Sequence, residues 1–444
     1  MNTWYIHIQG QVQGVGFRPF IYSLAKAHGL NGWVNNDVDG VHIAFNGDEE
    51  TARSFKKNIV KKAPQLARIT SIELDHRKQT FFDNFQIIRS ERSGKSNVLI
   101  TPDVAICKDC SKELWQNDNR RKSYPFITCT NCGPRYSIFQ QLPYDRATTT
   151  MDDFQMCNVC KAEYENPLDR RYYSQTNSCP NCNIELTLLD SNLVEITNDV
   201  SAVLNLVIEY WEAGKIVALK GIGGYLLTCD ANNEAAISRL RKRKHRPSKP
   251  FALMYPNVAS LTQFELFPEA IDALNYPTAS IVLLDLKEEA VTVHSIAPQL
   301  KQIGLMLPYT PLYELLLRQF GKAIVATSGN ISNTPIIFED EKAKKELSSI
   351  ADFILTNNRK IVVPQDDSVI KFSPFTKQKI ILRRSRGLAP SYINAHLKVA
   401  NTNILAMGAM LKSTFSLQHQ NNIYISQYLG DLQQFDTQQS YQHT

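Results

Sequence analysis

The chain has 444 residues, 43% hydrophobic and 21% charged, with 49 Lys and Arg against 43 Asp and Glu. This balance excludes wholesale disorder, collagen-like repeats and low-complexity fibres, and the length predicts about three domains. No apolar run approaches the ~20 residues of a membrane helix, and the start MNTWYIHIQG lacks the regions of a signal peptide, so a cytoplasmic protein with no membrane partner is expected.

Residues 1–91 read as a small α+β unit. Trp4, Ile6 and Ile8 alternate with polar residues as in a half-buried strand. A helix carries Phe20, Ile21, Leu24 and Ala27 and ends at Gly29. Strands at 32–36 and 41–45 are joined by the turn Asp39-Gly40. A second helix carries Ala52, Phe55 and Ile59, and strands at 68–74 and 85–88 follow. The order strand-helix-strand-strand-helix-strand is ferredoxin-like. The polar stretch ERSGKSN (91–97) is a linker.

Residues 101–190 hold four Cys-x2-Cys pairs: Cys107/Cys110, Cys129/Cys132, Cys157/Cys160 and Cys179/Cys182. Two such pairs give a closed tetrahedral zinc site with no open position, hence a structural ion. Gaps of 18, 24 and 18 residues separate the pairs; the repeated 18 suggests one ion per half, while an interleaved pairing stays open. Two zinc ions held as thiolates would lower the net charge from +6 to about +2, so global charge argues for no particular partner and a nucleic acid is not expected. The region shows few regular apolar patterns and reads as stapled by metal. The ninth cysteine, Cys229, reads as a core thiol.

From 196 to 390 helices and strands alternate, an α/β domain. Residues 400–444 read as three short strands that open a further domain and end in polar sequence with no helix. The whole is a mixed α+β and α/β multidomain chain.

Two segments carry chemistry. Gly10-Gln-Val-Gln-Gly-Val-Gly-Phe-Arg18 joins the first strand to the first helix. Its glycines allow a tight turn whose amides face one point, a helix starts at once, and Arg18 offers a guanidinium fork to phosphate. Asn36 is placed to hold an attacking water. The second segment is basic: seven of the eleven residues from Arg239 to Lys249 are Lys or Arg, ending in the proline-fixed Lys244-His-Arg246-Pro-Ser-Lys249-Pro. Downstream, Thr327-Ser328-Gly329-Asn330 follows a buried strand, a common ligand position in α/β domains. No Walker A string or GxGxxG occurs.

The string GQVQGVGFR with WVNN resembles the acylphosphatase signature. The resemblance implies hydrolysis of a carboxyl or carbamoyl phosphate, with Gln13, Gly14, Val15, Gly16 and Phe17 as the phosphate loop, Arg18 on phosphate and Asn36 orienting water. KGIGGY, KHRPSKP, LPYTPL and TSGNIS resemble the YrdC/TsaC family, which forms acyl adenylates and pyrophosphate from ATP. That likeness implies Lys244, Arg246 and Lys249 on phosphates, Ser328 and Asn330 on the nucleotide or carbamoyl end, and Lys220, Thr327 and Arg386 lining the site. Together with the cysteine pattern and LAMGAMLKSTFSL, the order resembles the HypF family of NiFe-hydrogenase maturation: an acylphosphatase-like domain (1–91), two four-cysteine zinc-ribbon modules (101–190), a YrdC-like domain (196–390) and the truncated start (400–444) of an actin-like-fold TsaD-like domain.

The HypF resemblance implies that carbamoyl phosphate is cleaved and that the carbamate passes through an enclosed space. ATP with Mg2+ then turns it into an adenylate. The carbamoyl group goes to a C-terminal cysteine of HypE, as precursor of the cyanide ligands on the hydrogenase iron. About 45 residues of the transferase domain are present, so adenylation is expected to survive and transfer is in doubt. Competing readings are an acylphosphatase indifferent to ATP, a zinc-dependent RNA-binding or tRNA-modifying protein with salt-sensitive binding, and an inert scaffold that docks HypE.

Overall fold

The alternation in Tyr5-Ile-His-Ile8 buries Ile6 and Ile8 on one face and leaves Tyr5 and His7 on the other. The structure, a computed structural model, describes residues 2–90, 97–287, 295–331, 334–393 and 402–444. Residues 91–96 of the expected linker at 91–97, and Ser332, lie outside the described residues.

The N-terminal unit runs β1 (Asn2–Gln11), α1 (Phe17–Ala27), β2 (Gly32–Asp37), β3 (Gly40–Gly47), α2 (Glu49–Lys61), β4 (Arg68–Arg77) and β5 (Phe85–Ile87). The sheet order is β4-β1-β3-β2-β5, antiparallel except for the β2–β5 pair. This is the ferredoxin-like order with one added edge strand. Ile21 and Leu24 of α1 and Phe55 and Ile59 of α2 pack on Ile6, Ile8, Val34, Ile43 and Phe45, all buried. Burying each such side chain stabilises the unit by about 1.5–3 kcal/mol. Asp48 caps α2 by accepting from the Thr51 amide.

In the cysteine region α3 (Lys108–Trp115) starts on Cys107 and α4 (Asn158–Glu165) starts on Cys157. The expectation of a region held by metal alone is corrected. Leu114, Tyr124, Phe126 and Ile127 belong to one apolar core with Trp211, Leu312 and Leu316 of the α/β domain. Short irregular segments bury these side chains one by one, so no sequence period announces them. The strand Leu186–Asp190 closes the second cysteine module and also pairs with Phe353–Asn357 of the α/β sheet.

That sheet has eleven strands among the described residues. Its centre is formed by Ala252–Met254, Ile324–Ser328, Tyr225–Asp230, Val217–Lys220 and Phe353–Asn357, in that order. The helix α5 (Val200–Glu212) lays Val203, Val207 and Trp211 on it, and Gly214, at φ 67°, follows its end. The helix α6 (Glu234–Arg243) carries the start of the basic run, and Lys244 is its C-cap. Cys229 is buried in this core, and burial pushes its thiol up to about 12.

The C-terminal residues form the strands Ile404–Ala406, Ser416–His419 and Asn422–Ile425, joined by Ser391–Tyr392 into a four-stranded sheet among the described residues. The polar tail, expected without a helix, is helical over Phe435–His443; it buries little beyond Thr437, so the sequence shows no amphipathic stripe. Leu405 is exposed, as its sequence suggests, but Phe415 and Ile423 are half-buried. This sheet is tied back to the body: Tyr424 donates to the Val98 carbonyl, Ser391 to that of Ile100, and Asn422 to Asn97 Oδ1. Among the described residues no helix is long and apolar enough to cross a membrane.

Candidate functional site

The loop after β1 turns on Gly14 and Gly16, both left-handed at φ 71° and 72°. A Cβ on Gly16 would lie 3.1 Å from Thr130 and take up a strained φ. Such turns aim successive backbone N–H groups to one side, and α1 begins immediately after. Val15 is anchored in the core, while Gln13, Gly14, Gly16, Phe17, Arg18 and Asn36 line one small cavity. Asn36 is 2% exposed and its Oδ1 has no hydrogen-bond partner among the described residues.

The other wall of this cavity comes from the cysteine region, which the sequence reading did not foresee. Arg135 Nε donates to the Gly14 carbonyl at 2.6 Å, and the Tyr144 amide donates to Gln13 Oε1 at 3.0 Å. Arg18 donates to Asp145 Oδ1 at 2.7 Å and to Ser90 at 3.1 Å, and lies 5.5 Å from the Tyr173 ring centre. Its charge is thus held by a carboxylate 127 residues away. No local motif could have announced that pair.

The eight paired cysteines form two clusters, Cys107/Cys110/Cys129/Cys132 and Cys157/Cys160/Cys179/Cys182, which settles the pairing as one site per half. Neighbouring sulfurs lie 3.5–3.8 Å apart in the first cluster and 3.6–3.9 Å in the second. A tetrahedral zinc with ~2.3 Å Zn–S bonds requires about 3.8 Å, so both donor sets fit a structural zinc ion.

The two halves repeat beyond the cysteines, at a constant offset of 50 residues. Glu113 on α3 pairs with Arg170 and Arg171 of the second half, and Glu163 on α4 pairs with Arg120 and Arg121 of the first. Arg170 also reaches Cys110 Sγ at 3.3 Å, and Arg120 reaches Cys160 Sγ at 3.2 Å. Each half therefore supplies the counter-charge of the other half's cluster. Burial pushes the Glu163 carboxyl up, but the hydrogen bonds and charges of Arg121 and Arg120 outweigh it and hold the group down at about 2. The offset is legible in the sequence at Glu113 and Glu163 and at Arg120-Arg121 and Arg170-Arg171, as well as at the cysteines.

The α/β domain has a cavity of about 540 Å3, within the ~300–1,000 Å3 of small-molecule sites. Arg246, Lys249, Thr327, Ser328 and Asn330 line it, joined by Asp366 and Arg383 and, from the C-terminal sheet, by Lys412, Tyr428 and Asp431. Arg246 is held on its proline-fixed loop by donation to the Lys249 carbonyl and sits 5.1 Å from the Phe251 ring. Burial, and the charges of Arg241 and Arg383, bring its guanidinium down to about 10. Cations crowded in this way favour an anionic ligand.

Three expected lining residues are elsewhere. Lys244 is fully buried, with its ammonium donating to the carbonyls of Ser328 and Asn330 and to Asn330 Oδ1. Burial, with the Arg246 charge nearby, holds it well below the usual lysine range. Lys244 thus shapes the Ser328–Asn330 loop from behind. Lys220 donates to Asp340 and to the Asn357 carbonyl, each at 2.8 Å. Arg386 is buried against Asp367 at 2.9 Å and lies 3.6 Å from the Tyr309 ring centre. None of the three lines the large cavity.

Family models match in the same order as these units: Acylphosphatase over residues 4–87, HypF finger over 106–139 and 156–189, Telomere recombination (the Sua5/YciO/YrdC family) over 209–385, and HypF Kae1-like domain over 399–444. The acylphosphatase of Bacillus licheniformis is 40% identical over 87 residues, which cover 93% of it. The carbamoyltransferases HypF of Rhodobacter capsulatus and Synechocystis sp. are each 40% identical, over 97% and 100% of this chain and 57% of their own length. A full-length HypF in its phosphate- and nucleotide-bound form superposes with a TM-score of 0.94 at 38% identity, over 100% of this chain and 57% of that one. The HypF of T. kodakarensis superposes with a TM-score of 0.90 at 39% identity, over 100% of this chain and 56% of that one. The chain thus spans a little over half the length of the relatives it matches. With these four modules in this order, the chain belongs to the HypF carbamoyltransferase family.

Proposed function

We propose that the chain hydrolyses carbamoyl phosphate at the Arg18–Asn36 cavity and adenylates the resulting carbamate with ATP in the larger cavity. The observation that carries the first step is the buried Oδ1 of Asn36, without a hydrogen-bond partner among the described residues, in the same cavity as the glycine loop and Arg18. A water donating to that oxygen keeps a lone pair free for phosphorus. Arg18 and the loop amides balance the charge that builds on the phosphoryl oxygens. The P–O bond to the carbamoyl group breaks, leaving phosphate and carbamate.

For the second step, Arg246 and Lys249 hold the ATP phosphates, with Mg2+ carried by the nucleotide, while Thr327, Ser328 and Asn330 face the reacting end. Carbamate oxygen attacks the α-phosphorus and pyrophosphate leaves. Lys244, Lys220 and Arg386 act as positioning residues behind this wall. The finger residues Arg135, Tyr144 and Asp145 close the first cavity toward the protein interior, which supports delivery of a water-labile carbamate without release. The acceptor in this reading is the C-terminal cysteine of HypE, and the carbamoyl group is the precursor of the cyanide ligands on a NiFe-hydrogenase iron.

The test is carbamoyl-phosphate-dependent ATP–pyrophosphate exchange on the purified protein beside Arg18→Ala and Arg246→Ala. Exchange that needs carbamoyl phosphate and both side chains is expected. Phosphate release with no exchange would reduce the reading to an acylphosphatase, and salt-sensitive RNA binding with neither activity would replace it.

A further inference from the structure

The open face of the N-terminal sheet carries a second side-chain cluster, away from the phosphate loop. His7 on β1 stands directly opposite His42 on β3 in antiparallel register. Their neighbours Ile6, Ile8, Val41 and Ile43 all enter the core, so both imidazoles project from the other face. The rings stack with centroids 4.4 Å apart and planes 5° from parallel. The turn between β2 and β3 places Asp39 over them: its carboxylate is 2.6 Å from His42 Nε2 and 3.5 Å from His7 Nε2. Gly40, at φ 150°, permits this approach, since a Cβ there would meet the Ile8 carbonyl at 2.3 Å and His7 Nε2 at 3.1 Å.

We propose that His7, Asp39 and His42 form a third divalent-metal site, of zinc-binding character, distinct from the two thiolate clusters. One donor atom from each residue lies within 4.8 Å of the other two. A zinc ion with ~2.0–2.2 Å bonds to nitrogen and oxygen needs donors about 3.4 Å apart, so a closing movement of about an ångström assembles the site. Two imidazoles and a carboxylate suit a borderline cation such as zinc and leave a coordination position to water.

Two further observations point to a ligand. The Tyr5 hydroxyl lies on His42 Nδ1, the nitrogen away from Asp39, as an outer partner that fixes the ring while Nε2 binds metal. Asn35, opposite His42 on β2, is 2% exposed, and its Oδ1 has no hydrogen-bond partner among the described residues. It is an acceptor suited to a metal-bound water. The site is also tied to the phosphate loop, because Gln13 donates to the carbonyls of Asp37 and Gly40 at 2.7 and 3.0 Å on either side of Asp39.

The experiment is zinc titration of the full chain already carrying two zinc ions, followed calorimetrically and by metal content after buffer exchange. Cobalt(II) added to the same zinc-loaded protein gives a spectroscopic readout. A third equivalent is expected, with a cobalt band that lacks sulfur-to-metal charge transfer. Asp39→Asn and His42→Gln, which preserve the side-chain volumes, should each weaken it at least thirtyfold while the two thiolate-bound ions stay. A stoichiometry of two in the unaltered chain, or a third ion bound equally by both variants, would overturn the assignment. Each variant's unfolding midpoint shows whether it has folded.

Discussion

Replacing Asp145 with asparagine removes the charge that holds Arg18 while keeping a side-chain oxygen for the turn at 145–148. Both partners are largely shielded, at 8% side-chain exposure for Arg18 and 25% for Asp145, and they meet at 2.7 Å. A phosphate entering the cavity must either displace this carboxylate or sit beside it. At an effective dielectric near 20, two unit charges 5 Å apart still repel by about 3 kcal/mol. Part of that is relieved by solvent and by movement of Asp145, leaving about 1–2 kcal/mol, or a five- to thirtyfold lower KM for carbamoyl phosphate in Asp145→Asn. The assay is initial-rate phosphate release, with kcat expected to change less than about threefold. A KM that is unchanged or raised in a variant of normal stability would refute the competition and make Asp145 a support for Arg18 instead.

Glu163→Gln removes a carboxyl held at about 2 in the folded chain against an ordinary 4.5. A depressed carboxyl stabilises the fold fully above about pH 4.5 and loses that contribution as pH falls toward 2. The stability gap between the variant and the unaltered chain, measured by denaturant unfolding, should therefore narrow below about pH 4.5 and close near pH 2. Lys244→Met leaves the Ser328 and Asn330 carbonyls without their donor and is expected to lower stability by about 1–3 kcal/mol. Arg246→Ala, at the edge of the cavity, should raise KM for ATP about tenfold or more while leaving the unfolding midpoint within a few degrees. Trp211→Ala empties a fully buried site whose indole N–H donates to Thr228, and a loss of about 3–5 kcal/mol is expected in thermal unfolding.

What could be read beforehand follows from the range of the interactions. The alternation in β1, the nine-residue string from Gly10 to Arg18 and the Cys-x2-Cys spacing are local, and local signals name their element directly. That Arg246 and Ser328 line one cavity is legible in advance because a proline-fixed loop and a strand end are local features too. Lys244 lies outside the large cavity; its charge is visible in the sequence but its direction is not. It caps α6, and that turn drives the ammonium inward to the carbonyls of residues 328 and 330. Asp145 and Arg135 were out of reach because they act on residues more than a hundred positions away. The shared core of the finger region was hidden for a related reason: Tyr124, Phe126 and Ile127 lie in irregular backbone, where burial has no period.

The exchange of arginines between the two finger halves predicts that their metal loading is cooperative. A filled four-thiolate site carries a net charge of about −2, and the guanidinium pair facing it belongs to the opposite half. Binding the first zinc is therefore expected to draw in the arginines of the half still empty, ordering the chain between its cysteines before its own ion arrives. Linkage is reciprocal, so loss of either ion loosens the other, and Cys157→Ser should lower zinc affinity at Cys107–Cys132 as well as at its own site. Finger residues wall the Arg18 cavity, so on the proposed function demetallation of either half is expected to open that cavity, and the two zinc ions become a single quality check on whether it is sealed.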